Sequence, residues 1–417
     1  MTAPLTATAP PAVHVLAVVD SDSYLKWAAA TLDRLPGTAS IALVRNPIAP
    51  SATQLAAALA STRFGPDDVA RVHVTRLRAH LLRRRPDVVL VAATGPVVEL
   101  VVRATAGIRP RPALVSGLPG MALPATSLGV RFRAACDAFV VHSRTERRAY
   151  AAAFAAQGLA PQIVLEHLPF VPDRPGLLAT DPTGALADGP TGTVPVAGTT
   201  VAAVPAVTAA TRRAARPVDR VVFAAQAKVP AEREQRIEVL AALARAGAER
   251  DVVVKLRAVS GERQTHAEPY PYDALWDEER TVRGWPETVR FGTGPLAGWL
   301  GPGAGLVTVS STAALEAVAL GVPVAVVRDF GVDEEQLNAV FTGSGLLRTL
   351  REVVRCELGA PDPAWWAENY GHPDPDELAG VVETLAAASR AGRLPVPMVR
   401  PRSWRRYARS WLRCAVC

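Results

Sequence analysis

The sequence predicts an α/β protein built as two Rossmann-like domains, each a doubly wound parallel sheet, facing a cleft. Three observations carry this. The chain has 417 residues, too long for one ordinary core and suited to two domains. Short β-rich runs alternate with segments of helical spacing through two long stretches. The runs are nearly unbroken Val, Leu and Ala, as strands covered on both faces require.

Residues 1–12, MTAPLTATAPPA, lack the basic start and continuous apolar core of a secretory signal and read as a disordered N-terminus. No run of about 18 apolar residues follows, so a cytoplasmic protein is expected. Residues 13–170 form the first domain, with VHVLAVV, SIALVR, DVVLVAA, PALVSG, DAFVVHS and QIVLEH as strands. Leu25, Ala28, Leu32 and Leu35 mark the first helix between them. Residues 171–218 are rich in Pro, Gly, Thr and Ala without an aromatic residue, which predicts a linker. The second domain, 219–390, supplies RVVFAAQ, DVVVKLR, VRFGTG, GLVTVSS and VPVAVV, and closes with a helix over 376–390. The tail, 391–417, carries seven arginines and no acid, with Trp404, Tyr407, Trp411 and Leu412 at helical spacing. Such a segment suits an anionic membrane face, or it packs back on the first domain.

The net charge of +7 favours anionic partners such as nucleotides, phosphates or acidic lipid. Of 46 basic residues only Lys26, Lys228 and Lys255 are lysines, and each falls near the carboxyl end of an expected strand. There an ammonium can stabilise charge on a departing nucleotide without a metal. The four cysteines show no zinc spacing.

The sharpest motif is GLVTVSSTAALEAVALGVPVAVV, residues 305–327. A strand ends at Ser310 and Ser311, Ser311 or Thr312 caps a helix, Gly321 stops it, and Pro323 opens the next strand. A helix starting there aims N–H groups and a positive dipole into the cleft, where a diphosphate fits. Glu316 lies one turn in, placed to accept from ribose hydroxyls. Further strand ends bring Gln226, Lys228, Lys255 and Arg257 to the same mouth. In the first half, Thr94-Gly95, Ser116-Gly117 through Gly120, and His142 occupy equivalent turns, where glycine would let backbone approach a ligand. Asp20-Ser21-Asp22-Ser23 follows the first strand. An Asp-x-Asp pair can clamp a metal, but this one stands opposite the expected nucleotide site, so it reads as the acceptor side of the cleft.

These residues carry a resemblance. SSTAALEAVALGVPV resembles the C-domain signature of GT-B glycosyltransferases and of related bacterial capsule and teichoic-acid polymer transferases. In those, a Ser/Thr-rich turn and a Glu-bearing helix hold the donor nucleotide. DSDSYLKWAAATLDRLP, AATGPVV, SGLPGMALPAT, VVHSRTERR and FAAQAKVP, with that block, resemble an uncharacterised bacterial family assigned as glycosyltransferases. The resemblance spans nearly the whole chain apart from linker and tail. Where many GT-B enzymes carry a longer acidic stretch, only Glu316 stands here, which disfavours a retaining mechanism of that type. Where polymer transferases read K-x-H-P, this chain has KLRAV, and His266 is the available substitute.

The resemblance implies a GT-B-like glycosyltransferase acting in glycan or cell-envelope biosynthesis, moving a sugar from a nucleotide-sugar donor to a hydroxyl acceptor. Metal-independent inversion is expected, with no cofactor. Asp22 or Asp20 is the expected general base. Gln226, Lys228, Lys255, Arg257, His266, Ser310, Ser311, Thr312 and Glu316 are expected around the donor nucleotide. Ser23, Tyr24, Lys26, Trp27, Thr94, Gly95, Gly117, Gly120 and His142 are expected on the acceptor side. A lipid-linked acceptor and peripheral membrane contact fit the tail; nucleic acid is not an expected partner. Alternatives are a polyol-phosphate transferase, a nucleotide-sugar 2-epimerase, and a non-catalytic nucleotide- or glycan-binding relative.

Overall fold

The computed structural model describes residues 12–171, 218–257 and 268–396, together with Ala408, Trp411, Leu412 and Cys414. The expected disordered N-terminus, nearly all of the expected linker, His266 and most of the tail lie outside the described residues.

Two wholly parallel sheets form. The first contains β1 (His14–Val19), β2 (Thr38–Val44), β3 (Val69–Val72), β4 (Val88–Ala92), β5 (Ala113–Gly117), β6 (Ala138–Val141) and β7 (Gln162–Leu165), in the order β3-β2-β1-β4-β5-β6-β7. The second contains β8 (Arg220–Ala224), β9 (Asp251–Lys255), β10 (Val289–Gly292), β11 (Ala304–Thr308), β12 (Val324–Val327) and β13 (Leu347–Arg348), in the order β10-β9-β8-β11-β12-β13. Central strands alternate between two cores, as strands covered on both faces must. Val15, Ala17 and Val19 of β1 enter one cluster while Leu16 and Val18 enter another. In β8, Val221 and Phe223 face one way and Val222 and Ala224 the other. β3 and β13, which the sequence did not announce, are the short edge strands at one end of each sheet.

Strand order reverses direction between β1 and β4 in the first sheet and between β8 and β11 in the second. In an open parallel sheet these reversals leave crevices at the strands' carboxyl ends, where ligands bind.

The closing helix (Leu378–Arg390) differs from expectation in where it packs. Leu378, Val381, Val382 and Ala386 join the core of the first sheet, so the chain crosses back after completing the second. The crossing is pinned by bidentate Arg144–Asp374 and by Arg147–Glu377, while Glu377 also accepts from the Leu165 N–H. Trp411 and Cys414 continue the trend, packing against the opposite core of the first sheet, while Leu412 is exposed. No helix among the described residues is long and apolar enough to cross a membrane.

Candidate active site

In each sheet side chains stitch the strand ends together across the reversal. At the end of β1, Asp20 Oδ2 accepts from the Thr94 N–H (2.8 Å) and from the Thr94 hydroxyl, at the end of β4. Asp20 is 0% exposed, and burial pushes its carboxyl up to about 6. Its backbone carbonyl accepts from Asn46 at 2.8 Å. In the second sheet, Gln226 after β8 donates to the Ser310 carbonyl (2.6 Å) and accepts from the Ser310 N–H (2.7 Å) after β11. Ser310 Oγ donates to the Leu337 carbonyl, and Ser311 Oγ accepts from the Ala313 N–H at 3.2 Å. Thr312 then leads into the helix Ala313–Ala319, and Gly321, at φ +72°, ends it where the sequence placed the stop.

The first helix (Asp22–Arg34) begins at the β1 turn and packs back on the first sheet, so that its opening residues meet the second half of the chain. Asp22 and Lys26 are four residues apart and therefore share a helix face. Arg257 donates to Asp22 Oδ2 at 2.7 Å and to Ser23 Oγ at 3.1 Å. Lys26 donates to Glu316 Oε1 at 2.7 Å and lies 4.3 Å from the centre of the Phe170 ring. Asp20 and Asp22 thus do not converge: one carboxylate turns down to Thr94, the other across to Arg257. Lys255 Nζ donates to the Leu256 carbonyl at 3.4 Å and pairs with no carboxylate among the described residues. Burial, then the neighbouring charges of Arg257 and Lys26, bring its ammonium down to about 8. Lys228 is exposed in the loop after β8.

Gly120 brings the two halves together on the other side. A Cβ there would stand 2.4 Å from Thr312 Cγ2, and its φ of +124° disfavours any other residue. A cavity of about 400 Å³ lies between the halves here, walled by Leu123, Pro124 and Thr145 against Leu337, Val340 and Trp365.

Several acceptor-side expectations are corrected. Trp27 is fully buried, its indole N–H donating to His142 Nε2 at 3.0 Å. The proton of His142 therefore sits on Nδ1, which donates to the Glu166 carbonyl at 2.9 Å; burial holds this ring neutral, with its pKa lowered to about 4. Tyr24 is buried too, accepting at its hydroxyl from Arg133 (3.1 Å). Gly95 and Gly117 are small because neighbours press on them, with added Cβ atoms falling 2.2 Å from Phe132 and 2.7 Å from Trp27. The buried side chains of Trp27, His142, Tyr24 and Asp20 are therefore not offered to an acceptor. Asp22, Ser23, Lys26 and Thr94 keep partial exposure.

Buried charges that position the site went unseen in the sequence. Glu146 accepts from the N–H groups of His142 (2.8 Å) and Ala122 (2.9 Å) and from the Tyr370 hydroxyl (2.9 Å), with burial raising its pKa. It fixes the loop that bears Gly120. Arg133 binds Ser116 Oγ and the Ala93 carbonyl beside Tyr24. Arg236, 0% exposed, donates to the carbonyls of Gln226, Ala227, Pro230 and Tyr270 and to Glu268, holding the loop that carries Gln226. The one available signal was Ser143-x-x-Glu146, a helix-start pattern in which Ser143 Oγ accepts from the Glu146 N–H.

No curated protein matches this sequence. Among solved structures, MnaA of S. aureus, solved with UDP, is 10% identical over 92% of this chain and 98% of its own, with a TM-score of 0.51. A UDP-N-acetylglucosamine 2-epimerase is 13% identical over 95% of this chain and 100% of its own, with a TM-score of 0.50. The lipopolysaccharide outer core galactosyltransferase WaaB is 10% identical over 97% and 99%, with a TM-score of 0.40. With the first two the fold is the shared feature: two Rossmann-like α/β domains facing a cleft, a GT-B-like arrangement. The family model described as "Putative glycosyltransferase (DUF6716)" matches residues 15–385, and the chain belongs to that family.

Proposed function

We propose that the protein transfers a glycosyl group from a nucleotide-sugar donor to a hydroxyl acceptor in one inverting displacement that uses no metal, with Asp22 as general base. The observation that carries the reading is the facing arrangement at the cleft. A part-exposed carboxylate on the first half, Asp22, is bonded to Arg257 beside Lys255, while Lys26 one turn along meets Glu316 on the helix that follows the Ser310–Thr312 turn. The donor diphosphate would lie along that turn, with Lys255 and Arg257 neutralising its charge and Glu316 on the ribose. Asp22 takes the proton of the acceptor hydroxyl, and the acceptor oxygen forms its bond to the anomeric carbon. The bond from that carbon to the diphosphate oxygen breaks, and its electron pair leaves with the nucleoside diphosphate. Asp20 is a positioning residue in this scheme, since Thr94 and its burial keep it from the acceptor.

UDP is the first nucleotide to test, because the S. aureus MnaA structure holds UDP. The acceptor is read as lipid-linked, in cell-envelope assembly at the inner face of a bacterial cytoplasmic membrane. The seven arginines of 391–417 and the exposed Leu412 support that placement.

The test follows release of nucleotide from a panel of UDP-, GDP-, CDP- and dTDP-sugars, with and without lipid-linked acceptors. Asp22→Asn is expected to slow turnover by about 10²–10⁴-fold, the usual contribution of a general base. Unchanged turnover in Asp22→Asn refutes the base assignment. Conversion of the sugar without nucleotide release shows an epimerase instead.

A further inference from the structure

We propose that the outward face of the helix Leu77–Arg84, between β3 and β4, is a docking surface for an anionic lipid bilayer, held by arginines and by one inserted leucine. The surface deepens the inner-face placement proposed above and gives it to the folded first half rather than to the tail. It is independent of the transfer chemistry.

The charge of the chain is unevenly placed. Residues 69–110 hold eight arginines against two acids, six of the chain's seven net positive charges. Both acids are already paired: Asp87 accepts from Arg390 and from the His14 N–H, and Glu99 accepts from Arg103. Arg76, Arg83, Arg84 and Arg85 are exposed and pair with no carboxylate among the described residues. The helix shows why they point outward. Leu77, His80 and Leu81 are buried, and the two leucines enter the core on one side of the first sheet. That leaves Arg76 and Arg83, seven residues apart, and Arg78 and Leu82, four apart, along the outer side. Arg78 also donates to the Ala104 carbonyl at 3.0 Å, which ties this helix to the end of the next one (Gly95–Thr105).

Leu82, 46% exposed, decides which polyanion fits. Beside the phosphates of a duplex a leucine gains nothing. At a headgroup layer it buries apolar surface while the arginines around it meet lipid phosphates. Residues 69–110 contain no Trp, Tyr or Phe on which a nucleic-acid base could stack. The chain's end adds a second apolar side chain to this layer. Trp411 and Cys414 pack against the same core cluster as Leu77 and Leu81, and Leu412 beside them is 52% exposed. The helix joins the end of β3 to the start of β4, so it runs from the carboxyl edge of the sheet back to the amino edge. The face is therefore a flank of the first half, and a bilayer docked along it leaves the carboxyl ends of the strands free.

The experiment is co-sedimentation of the full chain with vesicles of phosphatidylcholine, alone or mixed with phosphatidylglycerol. It is run at about 0.1 M and about 1 M salt, between which the screening length falls from about 10 Å to about 3 Å. The wild type is expected to bind the mixed vesicles at low salt only. The triple variant Arg76→Gln, Arg83→Gln, Arg84→Gln is expected to lower partitioning about 100-fold, roughly fivefold for each arginine. Leu82→Ser should lower it about three- to tenfold. Replacing Arg400, Arg402, Arg405 and Arg406 of the tail by Gln should cost less than the triple variant. Melting curves confirm the fold of each protein, and Arg83→Gln alone, expected to lose about fivefold, serves if the triple variant does not fold. Partitioning unchanged in the triple variant, or lost only in the tail variant, overturns the proposal. Equal binding to neutral vesicles overturns it too. Tighter binding of duplex DNA than of anionic vesicles, with Leu82→Ser without effect on either, assigns the face to nucleic acid instead. Nucleotide release from the donor panel is read without vesicles, so a loss of docking leaves the glycosyl-transfer reading standing, and a failure of transfer leaves the docking surface standing.

Discussion

The two sheets solve the same problem with opposite chemistry. Each must close the gap where strand order reverses, and in each a side chain just past one strand end reaches to the next. In the first sheet the stitch is Asp20, an acceptor that receives two hydrogen bonds from Thr94. In the second it is Gln226, which donates to Ser310 and accepts from it. A carboxylate serves where both partners are donors; an amide is required where one partner is an N–H and the other a C=O. The first stitch seals its crevice beneath the surface and leaves Asp22 to face the cleft. The second holds a backbone turn open to the cleft, with Lys255 and Arg257 at the neighbouring strand end.

The sharpest way to break the comparison is to exchange the chemistry. Gln226→Glu keeps an acceptor for the Ser310 N–H but sets a carboxylate oxygen against the Ser310 carbonyl. Ser310 is buried at 5% exposure, so its carbonyl has no ready substitute in water. Leaving it unpaired and facing a charge is expected to cost about 2–4 kcal/mol of stability. Chemical denaturation measures this, and UDP titration should show affinity falling with it. Retention of full stability in Gln226→Glu would mean that the Gln226 amide does not hold the turn.

What the sequence shows and what it hides follow from the same physics. Runs such as DVVLVAA are legible because burial on both faces demands unbroken apolar residues. VARV, the strand β3, is not legible, being four residues at a sheet edge with Arg71 exposed. The turn at Ser310 to Gly321 is announced by local punctuation, Ser-Ser-Thr before and Gly-Val-Pro after. The crowding of Gly95 by Phe132 and of Gly117 by Trp27 is hidden as well, because nothing local reports it. Glu146, Arg133 and Arg236 sit among charged helical residues, and a buried charge is spelled like a surface one. The Asp22–Arg257 pair joins residues 235 positions apart, a separation no local pattern reports.

A smaller effect should come from the first stitch. Asp20 is held near pKa 6 against an ordinary 3.8, so the folded chain binds its proton more tightly than the unfolded chain does. The sign follows directly: this group's contribution is full below about pH 4 and is lost as pH rises to about 6. Asp20→Asn keeps an oxygen for Thr94 and carries no charge to desolvate. Its stability relative to wild type is therefore expected to rise across that window, by on the order of 1–3 kcal/mol in total. Paired denaturation curves from pH 4 to pH 7.5 measure the difference, which cancels the other carboxylates. A flat difference would mean that Asp20 titrates as an ordinary surface acid, and the contrast between the two stitches would lose its electrostatic half.

The smallest expected effect belongs to Lys255 and runs the other way along the pH axis. Its ammonium, brought down to about 8 by burial and by Arg257 and Lys26, is charged below that pH and neutral above it. Pyrophosphate affinity is therefore expected to fall as pH rises from 7 to 9, by about three- to tenfold for the loss of one charge-assisted contact. Bound diphosphate favours the charged form and shifts the fall upward, so the midpoint should lie at or above pH 8. Lys255→Arg keeps the charge throughout that range, because a guanidinium does not deprotonate there. The ratio of the two proteins' affinities isolates Lys255, since pyrophosphate's own ionisation is common to both. A ratio constant from pH 7 to pH 9 would show that Lys255 does not meet the anion. A ratio that moves would place the Lys255 ammonium, and with it the end of the second sheet's β9, against the anion.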